Sequence, residues 1–149
     1  ITAKLSYHPN IIGIKDSGGN IIQIMDTIRN TQEDFAVFAG SASFLYPTIM
    51  AGGKGGTLAL ANIMPEECVK LYQLSKEGAA EKALKMQMAL IEPNAAVTSK
   101  WGIPGLKAAM DMIGNIGGKP RKPFLPLEEK ERGELKEILE KAKEECRQI

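Results

Sequence analysis

Three short apolar runs, Ile11 to Ile14, Phe35 to Ala39 and Thr57 to Ala61, constrain this chain more than any other feature. None alternates strictly between apolar and polar residues, and each is bounded by Gly, Pro or charge, the pattern of strands buried on both faces. Between the first two, Ile21, Ile24, Met25 and Ile28 recur at helical spacing behind Asn20 and Gln23, which are placed like a capping box. Between the second and third, Ser43 to Ala51 is apolar enough for a covered helix. Strand, helix, strand, helix, strand with short connections predicts parallel strands joined by right-handed crossovers, an α/β class.

Beyond the third run the pattern becomes wholly helical. Pro65 opens a helix with Cys68, Leu71, Tyr72 and Ser75 on its buried stripe, and Gly78 stops it. A second helix runs from about Ala79 toward Lys100, with Pro93 bending or breaking it. A third opens at Gly102. Pro120, Pro123 and Pro126, at every third position, predict an extended surface strap over residues 117–127. The last helix, over residues 128–149, places Leu135, Ile138, Leu139, Ala142 and Cys146 on one face. The expected division is an α/β part over residues 1–78 and a helical segment over residues 79–149.

Composition removes several function classes. The 149 residues are 44% apolar and 25% charged, enough for a real core. The net charge is +1, with acidic and basic residues interspersed, and only 5% of residues are aromatic, so neither a nucleic-acid nor a membrane-surface partner is expected. The apolar runs are far shorter than the ~20 residues of a membrane-spanning helix. A single His and two distant Cys residues, Cys68 and Cys146, argue against a His/Cys zinc site or a disulfide framework. The opening Ile1 to Ser6 has no signal-peptide pattern and reads like the interior of a longer chain. A cytoplasmic location is the expectation.

Lys15 ends the first run, directly before Asp16-Ser17-Gly18-Gly19. In parallel α/β sheets and barrels that strand end is where ligands meet side chains. An amine entering from an apolar strand would be partly desolvated, which disfavours its charged form and leaves a neutral amine to attack a ketone. The resulting iminium withdraws electrons from the adjacent carbon–carbon bond, a route to cleavage beside a keto group without a metal. The same residues also fit a strand that simply emerges into solvent. The turns at Ser17-Gly18-Gly19 and Gly40-Ser41 precede helices and offer backbone N–H groups to a carboxylate, although ordinary turn chemistry accounts for them equally. Gly52-Gly53-Lys54-Gly55-Gly56-Thr57 is not a phosphate loop: it runs from helix to strand, and its Lys is not directly before Ser or Thr, so Lys54 is expected in solvent. His8 before Pro9 reads as a turn residue, and the Met residues within 86–112 as core.

The segment His8 to Gly19 resembles the Schiff-base lysine segment of the dihydrodipicolinate synthase / N-acetylneuraminate lyase family. Phe38-Ala39-Gly40-Ser41-Ala42 and Gly52 to Asn62 resemble that family's next two strands, and the proline strap with the final helix resembles its C-terminal end. Ile91 to Thr98 and Gly102 to Lys107 look most like 4-hydroxy-2-oxoglutarate aldolase within it. Synthases that act on aspartate semialdehyde often carry acidic residues where Ser41-Ala42 stand here, which tilts the resemblance toward the aldolase. The resemblance implies the C-terminal part of a (β/α)8 barrel, its last three parallel strands, with an appended helical segment. Lys15 would form the Schiff base, Ser17 would hydrogen-bond substrate, Gly40 would line the substrate's tail and Thr57 would face the pocket. The substrate would be a small 2-oxo acid, pyruvate or 4-hydroxy-2-oxoglutarate, with no metal or organic cofactor. The family's carboxylate-binding loop and proton-shuttling Tyr belong to strands upstream of the lysine, and Tyr7, Tyr46 and Tyr72 do not stand in that context. A partial barrel leaves open edges, so association is expected, with further copies or with an N-terminal half. The alternatives are a dihydrodipicolinate synthase and, outside catalysis, a half-barrel association module.

Overall fold

In the computed structural model, which describes residues 1–149, three strands form one parallel sheet in the order β1-β2-β3. β1 spans Gly13–Asp16, β2 Ala36–Ala39 and β3 only Gly55–Gly56. Gly13 to Asp16 pair in register with Ala36 to Ala39, and Phe38 and Ala39 pair with Gly55 and Gly56. The α/β class and the parallel crossovers expected from the apolar runs are both present. The third strand lies earlier than Thr57 to Ala61: those residues form a loop and the start of a 3-10 turn, Leu60–Asn62. The pairing with β2 falls on two glycines. A Cβ at Gly55 would come within 2.9 Å of the Phe38 ring, so β2 and β3 fit together here because the strand beside Phe38 is glycine. Backbone bonds from Lys54 N–H to Val37 O (2.9 Å) and from Thr57 N–H to Ala39 O (2.8 Å) extend the pairing one residue at each end.

Burial also departs from the expectation of strands covered on both faces. Val37 and Ala39 are buried and Ala36 and Phe38 half-buried, so β2 has one packed and one open face. Ile12, just before β1, is 81% exposed, and Ile14 and Lys15 within β1 are exposed too.

The helices are α1 (Thr2–Leu5), α2 (Ile21–Asn30), α3 (Leu45–Met50), α4 (Pro65–Lys76), α5 (Ala80–Ala89), α6 (Ile91–Ala95), α7 (Gly102–Met112) and α8 (Glu129–Arg147). A 3-10 turn, Ala42–Phe44, leads into α3, and a π-helical turn, Ala96–Lys100, follows α6. In α2 only Ile24 is buried, with Ile21 and Ile28 half-buried, while Met25 lies outside the packed stripe. α4 begins with Pro65 and ends before Gly78, whose φ of +73° suits a residue without a Cβ. Where one broken helix was expected over 79–100, the interruption falls at Leu90. Pro93 sits in the first turn of α6, where its missing N–H removes no intrahelical bond. Met86 is core as expected, whereas Met88 is 66% exposed. Residues 117–127 form a largely exposed strap with a turn closed by Phe124 N–H on Arg121 O.

The main core runs continuously from Ala39 on β2 through Leu45, Leu60, Leu71, Met86 and Leu90 to Leu135 and Leu139 of α8. It fastens the helical part to the back of the sheet. All five positions predicted for the inner face of α8 are buried, and a reciprocal capping box between Glu128 and Glu131 starts that helix. No helix is long and apolar enough to cross a membrane.

Candidate functional site

Lys15 is the third residue of β1 and pairs in register with Phe38. Register neighbours in a sheet project to the same side, so the Lys15 side chain lies on the face that carries the Phe38 ring and Gly55, opposite buried Val37 and Ala39. Lys15 is exposed. The desolvation expected of an amine leaving an apolar strand is therefore not supplied by these residues.

The turn after Lys15 is organised by Asp16, a residue whose role the sequence reading did not single out. Its Oδ1 accepts from Gly18 N–H at 2.8 Å, and its Oδ2 accepts from Gln23 Nε2 at 2.9 Å. The Asp-x-Gly spacing was a readable signal for that Asx turn. Asn20 does cap α2, accepting from Ile22 and Gln23 N–H groups. Gln23 does not complete the capping box, because its side chain is committed to Asp16. Asp16 is thus held at both oxygens, fixing the loop on which Ser17 sits.

Gly40 follows β2 and donates its N–H to Asp16 O at 2.6 Å. A Cβ there would meet Ser17 Oγ at 2.2 Å and Asp16 O at 2.7 Å, so the ends of β1 and β2 touch through a residue with no side chain. Lys15, Ser17 and Gly40 consequently share one mouth at the C-terminal end of the sheet. Thr57, exposed and directly after β3, stands at the same end and continues the ladder by its own N–H. The carboxylate-binding reading of the two turns meets a chemical limit. The N–H groups of Gly18, Gly40 and Ser43 are already engaged by Asp16 Oδ1, Asp16 O and Ser41 Oγ.

Two residues of the helical part reach this mouth from behind and were not foreseen. Gln87 of α5, 4% exposed, donates Nε2 to Ala42 O (2.8 Å) and accepts from Tyr46 N–H at Oε1 (3.0 Å). Asn94 of α6 donates Nδ2 to both Ser41 Oγ (2.9 Å) and Ser43 Oγ (2.7 Å). Their only sequence signal is a polar residue within an apolar helical stripe.

His8 is a turn residue, accepting from Asn10 N–H at Nδ1, and Lys54 is solvated, as expected. Beside β3 a groove of about 340 Å³, lined by Leu45, Leu58, Val69 and Tyr72 among others, marks an open edge of the sheet; Lys15 does not line it.

The model of the dihydrodipicolinate synthetase family matches residues 1–142. A relative from Emericella nidulans, described as "Probable 4-hydroxy-2-oxoglutarate aldolase, mitochondrial", is 33% identical over 145 residues, covering 97% of this chain and 47% of its own length. A 4-hydroxy-tetrahydrodipicolinate synthase from Archaeoglobus fulgidus is 32% identical over 139 residues, covering 93% of this chain and 48% of its own. Among solved structures, the dihydrodipicolinate synthase of Thermotoga maritima superposes with a TM-score of 0.87 at 28% identity, over 95% of this chain and 50% of the other. The chain spans about half the length of the curated relatives it matches.

Proposed function

The chain belongs to the dihydrodipicolinate synthetase family, and from that premise we propose that it is the lysine-bearing half of a Schiff-base aldolase that cleaves 4-hydroxy-2-oxoglutarate to pyruvate and glyoxylate. The observation that carries the reading is the position of Lys15, at the C-terminal mouth of the sheet beside Ser17 and Gly40, within a segment that resembles the family's Schiff-base motif. The Emericella relative agrees with the aldolase and the Archaeoglobus relative, at nearly the same identity, with the synthase; the resemblance carried by Ile91 to Thr98 and by Gly102 to Lys107 supports the aldolase over the synthase. So does Ser41-Ala42, where synthases often carry acidic residues.

In this mechanism the Lys15 amine attacks the keto carbon and water leaves, giving an iminium. A base removes the proton of the C4 hydroxyl and the C3–C4 bond breaks. Its electron pair moves into the iminium to form an enamine, and glyoxylate departs. Protonation at C3 and hydrolysis then release pyruvate and return the free amine. Ser17 would hydrogen-bond the bound acid, Gly40 would line its tail and Thr57 would face the pocket. The base and the carboxylate loop would come from the upstream part of the barrel, so catalysis needs residues beyond this half. No metal or organic cofactor takes part. The location is cytoplasmic, and residues 1–78 and 79–149 act as partial barrel and helical support.

The test is pyruvate with borohydride, applied to this chain and to the polypeptide as its gene encodes it. Reduction should fix a three-carbon acid on Lys15, read by peptide mass. Labelling at other lysines with Lys15 untouched, or no labelling of the gene-encoded polypeptide, sinks the reading. Glyoxylate against aspartate semialdehyde as the working partner separates the aldolase from the synthase.

A second reading, a non-catalytic half-barrel that associates with further copies or with a separate N-terminal half, is favoured by the open edge beside β3 and by exposed Ile12 and Ile14. Light scattering that finds a stable oligomer, with no lyase activity and no effect of Lys15→Ala, would select it.

A further inference from the structure

Asn94 is 1% exposed and belongs to the helical part of the chain, some fifty residues from the serines it contacts. Its amide donates both N–H groups, one to Ser41 Oγ at 2.9 Å and one to Ser43 Oγ at 2.7 Å. Its Oδ1 is buried without a partner. Turning the amide over would instead leave two buried N–H donors unpaired, a worse outcome than one oxygen, so the donor orientation is the favoured one.

That orientation decides what the serines can do. Ser41 Oγ accepts from Asn94 and from Ser43 N–H (3.3 Å), and Ser43 Oγ accepts from Asn94. Each hydroxyl therefore serves the protein as an acceptor, and its own hydrogen remains to be donated. Both serines are half-exposed and follow Gly40, which touches Ser17 at the mouth that holds Lys15. Two hydroxyl donors side by side match a group that only accepts, and a carboxylate is the strongest such group.

We propose that Asn94 is a positioning residue that holds the Ser41 and Ser43 hydroxyls as donors toward the carboxylate of the aldehyde partner. This deepens the aldolase reading and rests on it. Asn94 touches no reacting atom; it acts through the two serines.

The experiment uses the gene-encoded polypeptide, with glyoxylate as the aldehyde probe and pyruvate–borohydride labelling of Lys15 as an independent readout. Asn94→Asp keeps the shape but offers oxygens, which draws both hydroxyl hydrogens inward. The KM for glyoxylate should rise about tenfold or more, the scale of a hydrogen bond to a charged group, while pyruvate labelling stays within about twofold. Ser41→Ala/Ser43→Ala should reproduce that split, and adding Asn94→Asp to it should cost nothing further. An unmoved glyoxylate KM, or pyruvate labelling, glyoxylate turnover and Tm falling together, overturns the assignment. If Asn94→Asp does not fold, the serine double variant decides alone: a selective rise in the glyoxylate KM supports the proposal, and no rise overturns it. Absence of the Lys15 adduct in the wild type defeats the aldolase reading and this inference with it, whereas an intact adduct with unmoved KM defeats only the role of Asn94.

Discussion

A Cβ on Gly40 would lie 2.2 Å from the Ser17 hydroxyl oxygen, closer than two such atoms can approach. The contact has little freedom to relax, because the Gly40 N–H is bound to Asp16 O at 2.6 Å and Asp16 is held at both carboxylate oxygens. Gly40→Ala should therefore push the ends of β1 and β2 apart. The expected loss is about 1–3 kcal/mol, read as a lower urea midpoint. Ser17→Ala in the same chain should restore only part of it, since Asp16 O stays within 2.7 Å of the added methyl.

Lys15→Ala should separate chemistry from stability. Lys15 is exposed, so its removal should change unfolding free energy by no more than about 0.5 kcal/mol. Borohydride trapping of pyruvate should disappear altogether. A large loss of stability would assign Lys15 a structural task instead.

Gln87 ties α5 to the turn that starts α3. Gln87→Met keeps the volume and removes both polar contacts, leaving Ala42 O and Tyr46 N–H without their side-chain partner. Ala42 O still accepts from Leu45 N–H, so the expected penalty is that of one unpaired group, Tyr46 N–H, about 1–3 kcal/mol. Native-state hydrogen exchange at the Tyr46 amide should rise selectively, ahead of amides in α8.

The thiols give a pH prediction. Burial, then the negative charges of Glu67 and of Cys146, pushes the Cys68 thiol up to about 12; burial first, then Glu67 and Glu145, pushes Cys146 up to about 11. Both values lie above the ordinary 9.0, so the folded state favours the neutral thiols. Their stabilising contribution is complete below about pH 9 and is lost as pH rises through about 11 to 12. Wild-type stability should therefore fall more steeply over that window than stability of a Cys68→Ala/Cys146→Ala variant, measured by urea unfolding. Alkylation near pH 8 should be slow in the folded chain and fast in denaturant.

The local part of the fold was open to reading from residues close in sequence. Pro65 and Gly78 mark the ends of α4, and the repeat of Leu135, Ile138, Leu139, Ala142 and Cys146 matches the buried side of α8, because a helix's period and caps depend on near neighbours. Lys15 was legible for the same reason: it ends an apolar run and precedes a Gly-rich turn.

What depended on distant partners was misplaced or invisible. β3 fell on Gly55–Gly56 rather than Thr57 to Ala61, set by pairing with Phe38 and Ala39 of the neighbouring strand, where a Cβ on Gly55 would crowd the Phe38 ring at 2.9 Å. Gln23 left the capping box for Asp16, and Met25 lost its expected burial because α2 packs through Ile24. Gln87 and Asn94 gained their importance only when α5 and α6 folded back on the end of β2. Sequence alone determined that this is an α/β chain with a lysine at a strand end, since period, breakers and motif are local properties. Tertiary structure alone decided which groups stand around that lysine and that it remains exposed, because burial and long-range hydrogen bonds belong to pairs of segments and to neither segment by itself.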